Sequence, residues 1–234
     1  MYKKLIMLFS FLLLSWLPLA GQQVLLGEDL RGDTLPAEFG MNRKHYTHSY
    51  FGLHFVAGNA DDPAAEVALG RSWSFEYGFR YKRRYNQTFS GGFELLAKRS
   101  SFHPERFLQV EIPEAYSYDR EKFVFLSMGT VVYQRFNYGM RGNYIGRFVD
   151  IGAFGDMHMN VRHILRLDGD PRLRIRRAGM NYHEFLGYGV LARLGFNNFV
   201  LRGSYRLSDI FKPDAGLAEF SRISFGLELG LHPQ

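Results

Sequence analysis

The stretch ISFGLELGL, residues 223–231, alternates strictly between two kinds of side chain. Its odd positions are all large and apolar, whereas its even positions are serine, glycine and a single charged residue, Glu228. A period of two sustained along the whole stretch predicts a β-strand with two different faces. One face suits an apolar environment, and the other suits a narrow polar interior that admits only small side chains and a paired charge.

The same alternation recurs along the chain. Six further segments show it, at residues 49–58, 69–81, 89–98, 149–158, 186–196 and 199–207. An eighth segment, residues 123–136, is apolar on both faces, so its register cannot be assigned and a β-bulge is a candidate explanation. We therefore predict an all-β fold, an eight-stranded antiparallel transmembrane β-barrel that spans residues 48–231.

The predicted connections alternate between long and short. The short ones lie at 82–87, 137–143 and Asn197-Asn198, and the Asn-Asn pair suits a two-residue hairpin turn, which needs positive φ angles. Short turns at one end and longer loops at the other are the arrangement of bacterial outer-membrane barrels. Aromatic residues near the short turns predict an interfacial girdle on the periplasmic side, formed by Tyr81, Tyr85, Phe89, Tyr133, Phe136, Tyr138, Tyr144, Phe196 and Phe199.

A soluble secreted barrel or sandwich is the alternative, with its apolar face pointing inward. Two observations favour the membrane barrel. The polar face is rich in glycine, as expected where side chains crowd inside a small barrel, and eight large apolar faces would overfill such an interior. We therefore predict the cell outer membrane as the location of a barrel that is a monomer.

The amino terminus has the order of a secretory signal. Lys3 and Lys4 precede an apolar run from Leu5 to Leu19, and small residues follow it. We predict a cleaved signal peptide at 1–20 and a periplasmic segment at 21–47. Without Lys3 and Lys4 the formal charge of +6 falls to +4, which gives little support for nucleic acid as a partner. The chain has no cysteine, which excludes disulfides and thiolate chemistry.

Charged residues on the polar faces are predicted to meet inside the barrel. Five acids and five bases balance, and buried charges persist only when they are paired. An eight-stranded interior is just wide enough to be filled by side chains. We therefore predict a lumen plugged by salt bridges, with a proton or small-ion path as the alternative. The predicted lumen charge network consists of Glu76, Arg80, Glu94, Lys98, Asp150, Asp156, Arg193, Arg202, Arg206 and Glu228.

Two further groups of residues are candidates for chemistry or binding. Asp156 and His158 lie on one predicted face, and His183 and Glu184 begin the adjacent strand, so the four could form an acid–base cluster at the extracellular mouth. No nucleophile motif, metal motif or cofactor motif accompanies them.

The longest predicted loop, 160–180, is rich in arginine and could bind lipid phosphates or an acidic partner. These arginines are Arg162, Arg166, Arg172, Arg174, Arg176 and Arg177; a solvated hairpin is the alternative for this segment.

The carboxyl-terminal third resembles a known family. The segments 141–156, 185–197, 205–212 and 220–231 are similar to small outer-membrane β-barrel proteins of Bacteroidota, a group that includes PorT-like barrels. The resemblance implies an eight-stranded outer-membrane barrel; PorT itself is an accessory of type IX secretion. The chain ends Leu231-His232-Pro233-Gln234 and so departs from the terminal aromatic residue of proteobacterial barrels.

These observations predict a non-enzymatic barrel without cofactor or metal. Its expected role is structural or partner-binding, with outer-membrane lipid and an envelope or secretion protein as candidate partners. The alternative is a surface enzyme acting on lipid or peptide at the extracellular mouth, and a transport pore is the third class.

Overall fold

Eight of the strands that the structure describes close into a ring. The computed structural model describes residues 40–57, 66–105, 118–139, 142–168, 174–179 and 182–232. The strands are β1 (His45–Val56), β2 (Trp73–Arg84), β3 (Phe89–Phe102), β4 (Tyr118–Tyr138), β5 (Arg147–Leu167), β6 (Arg174–Ala178), β7 (Leu186–Phe196), β8 (Phe199–Arg206) and β9 (Ile223–Leu231). The ring order is β4-β3-β2-β1-β9-β8-β7-β5, closed by pairing of β4 with β5, and β6 is attached to β5. Every pairing is antiparallel, so the predicted eight-stranded antiparallel barrel is confirmed.

The predicted loop at 160–180 is largely strand. β5 continues to Leu167 and forms a hairpin with β6, which extends the sheet beyond the other strands. A β-bulge interrupts the alternation of apolar and polar residues along β5. Leu126 pairs with Asn160 and Ser127 pairs with His158, so Met159 is an extra residue without a partner on β4. This bulge reverses which positions of β5 face inward. The bulge suggested for residues 123–136 of β4 therefore lies on the neighbouring strand β5 instead.

The outward face of the barrel is an apolar surface. Large apolar side chains at alternate positions are exposed on all eight strands of the ring, whereas soluble monomers rarely expose contiguous patches above a few hundred Å². Examples are Phe51, Phe75, Phe79, Leu95, Leu126, Val132, Ile151, Val190, Leu201, Phe225 and Leu227. A closed barrel satisfies its backbone hydrogen bonds internally, which a bilayer requires, and its apolar band faces lipid. The protein is therefore an outer-membrane β-barrel.

None of the described helical segments has the length and apolar character of a membrane-crossing helix.

Two apolar clusters lie at the two ends of the lumen. The end with the longer connections is the extracellular one in outer-membrane barrels. At this end, inward-facing Phe123 and Phe125 pack against Ile210, Phe211 and Phe220 of the segment between β8 and β9. At the periplasmic end, Tyr46, Ile145, Phe148 and Val200 are buried together. Between these clusters lie most of the buried charged side chains, together with a third apolar cluster of Leu96, Val131 and Leu191.

The periplasmic end differs from the prediction in two places. β1 begins at His45 rather than at residue 48, and the Lys82 ammonium donates to the carbonyl of Met41 (2.7 Å), so residues just before β1 pack on the barrel. Tyr133 does not belong to the predicted aromatic girdle, because it is buried and its hydroxyl donates to the carbonyl of Tyr81 (3.0 Å). Tyr133 lies an odd number of residues before the outward-facing Phe136, so its side chain points to the opposite, inward face of the strand.

The described residues belong to one compact unit, Glu38–Gln234. The predicted signal peptide at 1–20 and most of the predicted periplasmic segment at 21–47 lie outside the described residues.

Candidate functional site

The middle of the lumen holds a connected set of buried ion pairs. Glu94 accepts from Arg80 Nε (2.6 Å) and from Arg193 Nη1 (2.5 Å) and Nη2 (2.8 Å). Glu228 accepts from Arg80 Nη2 (2.5 Å) and Arg193 Nε (3.1 Å), so the two carboxylates and two guanidinium groups form a closed square. The Tyr50 hydroxyl donates to Glu94 as well (2.9 Å). Each of these five side chains is essentially buried, so their charges are compensated by one another rather than by water.

Two further pairs flank this square. Arg135 makes a bidentate contact with Asp150, at 2.7 Å from Nε and 2.8 Å from Nη2. Lys98 pairs with Asp156. Arg135 was missed by the sequence analysis because it lies on the strand that is apolar on both faces, although its spacing from the outward Phe136 could have placed it inward.

Arg206 occupies a different place from the one predicted. It belongs to the extracellular mouth, where its guanidinium donates to Glu219 (2.9 Å) and to the carbonyls of Ser208 (2.7 Å) and Phe220 (2.8 Å). Glu219 in turn accepts from the backbone N–H of Phe211 (2.8 Å). Arg206 therefore ties the segment between β8 and β9 to the barrel rim and is not part of the central square.

Three ligand-type side chains meet beside Arg202. Donor atoms of His54, Glu76 and Glu228 lie within 4.8 Å of one another, which is close enough for a shared cation. Arg202 Nη1 lies 2.6 Å from Glu76 and 3.4 Å from Glu228. The guanidinium thus already supplies to the two carboxylates the positive charge that a metal ion would bring.

A small cavity lies between the charged middle and the extracellular apolar cluster. Its volume is about 80 Å³, and its lining includes His54, Lys98, Asp156 and Arg202 on one side and Phe125 on the other. The polar side of this cavity is of a size and character that suits a few water molecules.

The four predicted acid–base residues have partners of other kinds. Asp156 pairs with Lys98, and His158 Nδ1 lies 2.7 Å from the Ser127 hydroxyl. His183 forms an isolated β-bridge with Phe211, and the backbone N–H of Glu184 donates to the carbonyl of Ile210 (2.8 Å). His183 and Glu184 therefore precede β7, which begins at Leu186, instead of opening it as predicted.

The Ser127–His158 pair joins a hydroxyl with a base, as nucleophilic catalysis requires. Ser127 is only 1% exposed. The rings of Phe125 and His158 make an edge-on contact, with their centroids 5.3 Å apart. Among the described residues, the Ser127 hydroxyl is thus buried against the His158 ring.

The arginine-rich segment forms an outward-facing basic surface. On β5 and β6 the side chains of Arg162, Arg174 and Arg176 are exposed, and Arg166 is half-buried beside them. Arg177 points to the other face of β6, and Arg172 lies outside the described residues. Most of these arginines therefore lie together, as predicted, but on a sheet rather than in a loop.

Cations from β3, from β4 and from the residues just before β2 complete this surface. Together with Arg71, Arg99, Arg120 and Lys122, the arginines at 162, 166, 174 and 176 line a cleft of about 670 Å³, which we call the basic cleft. His103 lies in the same cleft, and its burial and the charges of Lys122, Arg71 and Arg120 lower its pKa. The basic cleft is therefore a region of high positive potential on the outer wall.

No protein-family model matches the chain, and no curated protein matches it either. Among solved structures the chain is similar to Ail, the attachment invasion locus protein of Yersinia pestis, with 13% sequence identity and a TM-score of 0.35, over 81% of this chain and 97% of that chain.

Proposed function

We propose that the protein is a non-enzymatic outer-membrane barrel with a plugged lumen, whose role is to present its extracellular surface to lipid and to an envelope partner. The observation that carries this proposal is the closed square of Arg80, Glu94, Arg193 and Glu228 across the middle of the lumen. Side chains from β2, β3, β7 and β9 meet there, so the ion pairs join opposite walls of the barrel.

The ends of the lumen support the same proposal. A water-filled channel would need polar openings, whereas the described residues form a packed apolar cluster at each end of the lumen. Opening a path would separate buried charges from their partners, which is costly in a low-dielectric interior. The barrel is therefore suited to present a fixed extracellular surface rather than to conduct solutes.

Conductance in a planar bilayer tests the plugged lumen. The purified barrel should give no stable, large current steps. The double variant Arg80→Ala/Arg193→Ala, which removes two long side chains from the square, should produce steps if it still folds. Steady large steps from the unaltered protein would contradict the proposal, and heat-modifiable gel mobility would confirm that each sample is folded.

We further propose that the partner is a component of the envelope or of a secretion system, as the PorT-like segments imply. The motifs at 141–156 and 220–231 support this finer assignment to barrels of Bacteroidota. Crosslinking and affinity purification of the tagged protein from its native outer membrane should recover a stoichiometric envelope protein. Recovery of the barrel alone, under crosslinking that captures a known outer-membrane complex, would count against a partner-binding role.

A further inference from the structure

Like charges lie directly opposite one another on three neighbouring strands at the extracellular end. Arg166 of β5 is in register with Arg120 of β4 on one side and with Arg174 of β6 on the other. Directly opposite residues have Cβ atoms about 4.5 to 5.5 Å apart, and like charges so placed destabilise a sheet. This arginine row therefore costs folding free energy unless an anion lies over it.

The next row towards the membrane adds to the positive charge. Lys122, Ile164 and Arg176 are aligned across the same three strands, and Arg162 follows beside Val124. No aspartate or glutamate is among the described residues that line the basic cleft. Asp119 pairs with Arg120 (3.2 Å) at a site where both side chains are about half exposed, so this ion pair offsets little of the charge.

The basic cleft lies where the apolar band ends. On β4 the outward positions pass from Lys122 through Val124 to the exposed Leu126 and Met128. Arg99 of β3 is in register with Leu126, and its guanidinium lies 5.7 Å from the ring of Trp73. Tryptophan and arginine together at the edge of an apolar band are typical of the level of lipid headgroups.

We propose that the basic cleft binds the phosphate groups of a phosphorylated lipid in the outer leaflet that surrounds the barrel. Arginine binds phosphate oxygens through paired, charge-assisted hydrogen bonds, and the arginine row offers three guanidinium groups side by side. The apolar wall directly below would contact the acyl chains of the same lipid. A soluble acidic protein could satisfy the charge but would leave that wall unused, so continuity with the apolar band favours a lipid.

A lipid-binding titration tests this site independently of the plugged lumen. The folded barrel in neutral detergent is titrated with lipid A that carries two phosphates and with the same lipid after dephosphorylation, and complexes are counted by native mass spectrometry. The test variant is R120Q/R166Q/R174Q. The matched control is K44Q/R83Q/R147Q, which removes three exposed cations at the periplasmic end.

The unaltered barrel should bind the phosphorylated lipid at least about tenfold more tightly than the dephosphorylated lipid, because charge-assisted hydrogen bonds are lost with the phosphates. The test variant should lose about tenfold or more of that affinity, and the control should change less than about twofold. Equal binding of the two lipids, or full binding by a folded test variant, would overturn the proposal.

Soluble anions distinguish a lipid ligand from other sources of negative charge. Polyphosphate and an acidic peptide should bind more weakly than phosphorylated lipid A and compete with it poorly. If either bound as tightly while the lipid did not, the lipid assignment would be wrong. Should the triple variant fail to fold, the single variant R166Q should still weaken lipid binding about threefold or more, and unchanged binding would again overturn the proposal.

Discussion

At the two ends of the strands β4 and β5, arginine has neighbours of opposite charge type. Near the periplasm, Arg135 of β4 is in register with Asp150 of β5 and makes a bidentate ion pair with it. Near the cell exterior, Arg120 of β4 is in register with Arg166 of β5, a pairing of like charges. The inward-facing arginine is neutralised by an aspartate of the chain, whereas the described residues on the outer wall supply only the exposed Asp119 to a row of three arginines.

This difference follows from where each side chain points. A charge inside a narrow barrel cannot reach bulk water, so an unpaired arginine there would be very costly. A charge on the outer wall at headgroup level meets water and lipid phosphates, so repulsion between neighbours is reduced by what binds from outside. The same residue type therefore stabilises the lumen and marks a binding surface on the exterior.

Removing one acid from the lumen should have the largest effect. Glu228→Gln deprives Arg80, Arg193 and Arg202 of a shared carboxylate. We expect the free energy of unfolding to fall by about 3 to 5 kcal/mol, because buried positive charge is left uncompensated. Reversible urea unfolding in lipid vesicles measures it.

The control for this variant is Glu105→Gln, which changes an exposed side chain. The control should lie within about 0.5 kcal/mol of the unaltered protein. If Glu228→Gln were equally harmless, the lumen charges would not be compensated as the geometry indicates.

Glycine substitutions compare the inner and outer faces without changing charge. A Cβ at Gly195 would lie 2.0 Å from the Phe148 ring, whereas a Cβ at Gly203 would have no neighbour within 4 Å. Gly195→Ala should lower the free energy of unfolding by about 1 to 3 kcal/mol through overpacking, and Gly203→Ala should not destabilise the barrel. The same vesicle unfolding assay measures both variants.

The double variant Gly195→Ala/Phe148→Leu sharpens this comparison, because the smaller side chain makes room for the new methyl group. The two changes should couple favourably by about 0.5 kcal/mol or more. Strictly additive effects would mean that Phe148 does not fill the space beside Gly195.

The fold was predictable because the alternation of apolar and small polar residues is continuous on most strands. Parity alone placed Glu76, Glu94, Arg193 and Glu228 on the inward face, where the structure finds them buried. The alternation does not reveal which acid meets which base, because Arg193 reaches Glu94 across the lumen and those contacts depend on closure of the ring.

The extracellular end was less predictable for two physical reasons. The bulge at Met159 reverses parity within β5, so the following arginines looked like a loop. Inward Phe123 and Phe125 pack against residues between β8 and β9, which made β4 apolar on both faces and concealed Arg135. The basic cleft combines residues from five strands or their flanks, and no local pattern in the sequence brings Arg71 and Arg99 to Arg166.

The central claim is that residues of the chain neutralise the arginines of the lumen, whereas lipid phosphates neutralise the arginines of the outer wall. One measurement tests this claim most directly. The free energies of unfolding of Arg135→Gln and Arg166→Gln are compared in phosphatidylcholine vesicles with and without lipid A. Arg135→Gln should destabilise the barrel by about 3 to 5 kcal/mol in both. Arg166→Gln should stabilise it by about 0.2 to 1 kcal/mol in phosphatidylcholine alone and destabilise it when lipid A is present. An effect of Arg166→Gln with the same sign and size in both vesicles would contradict the account.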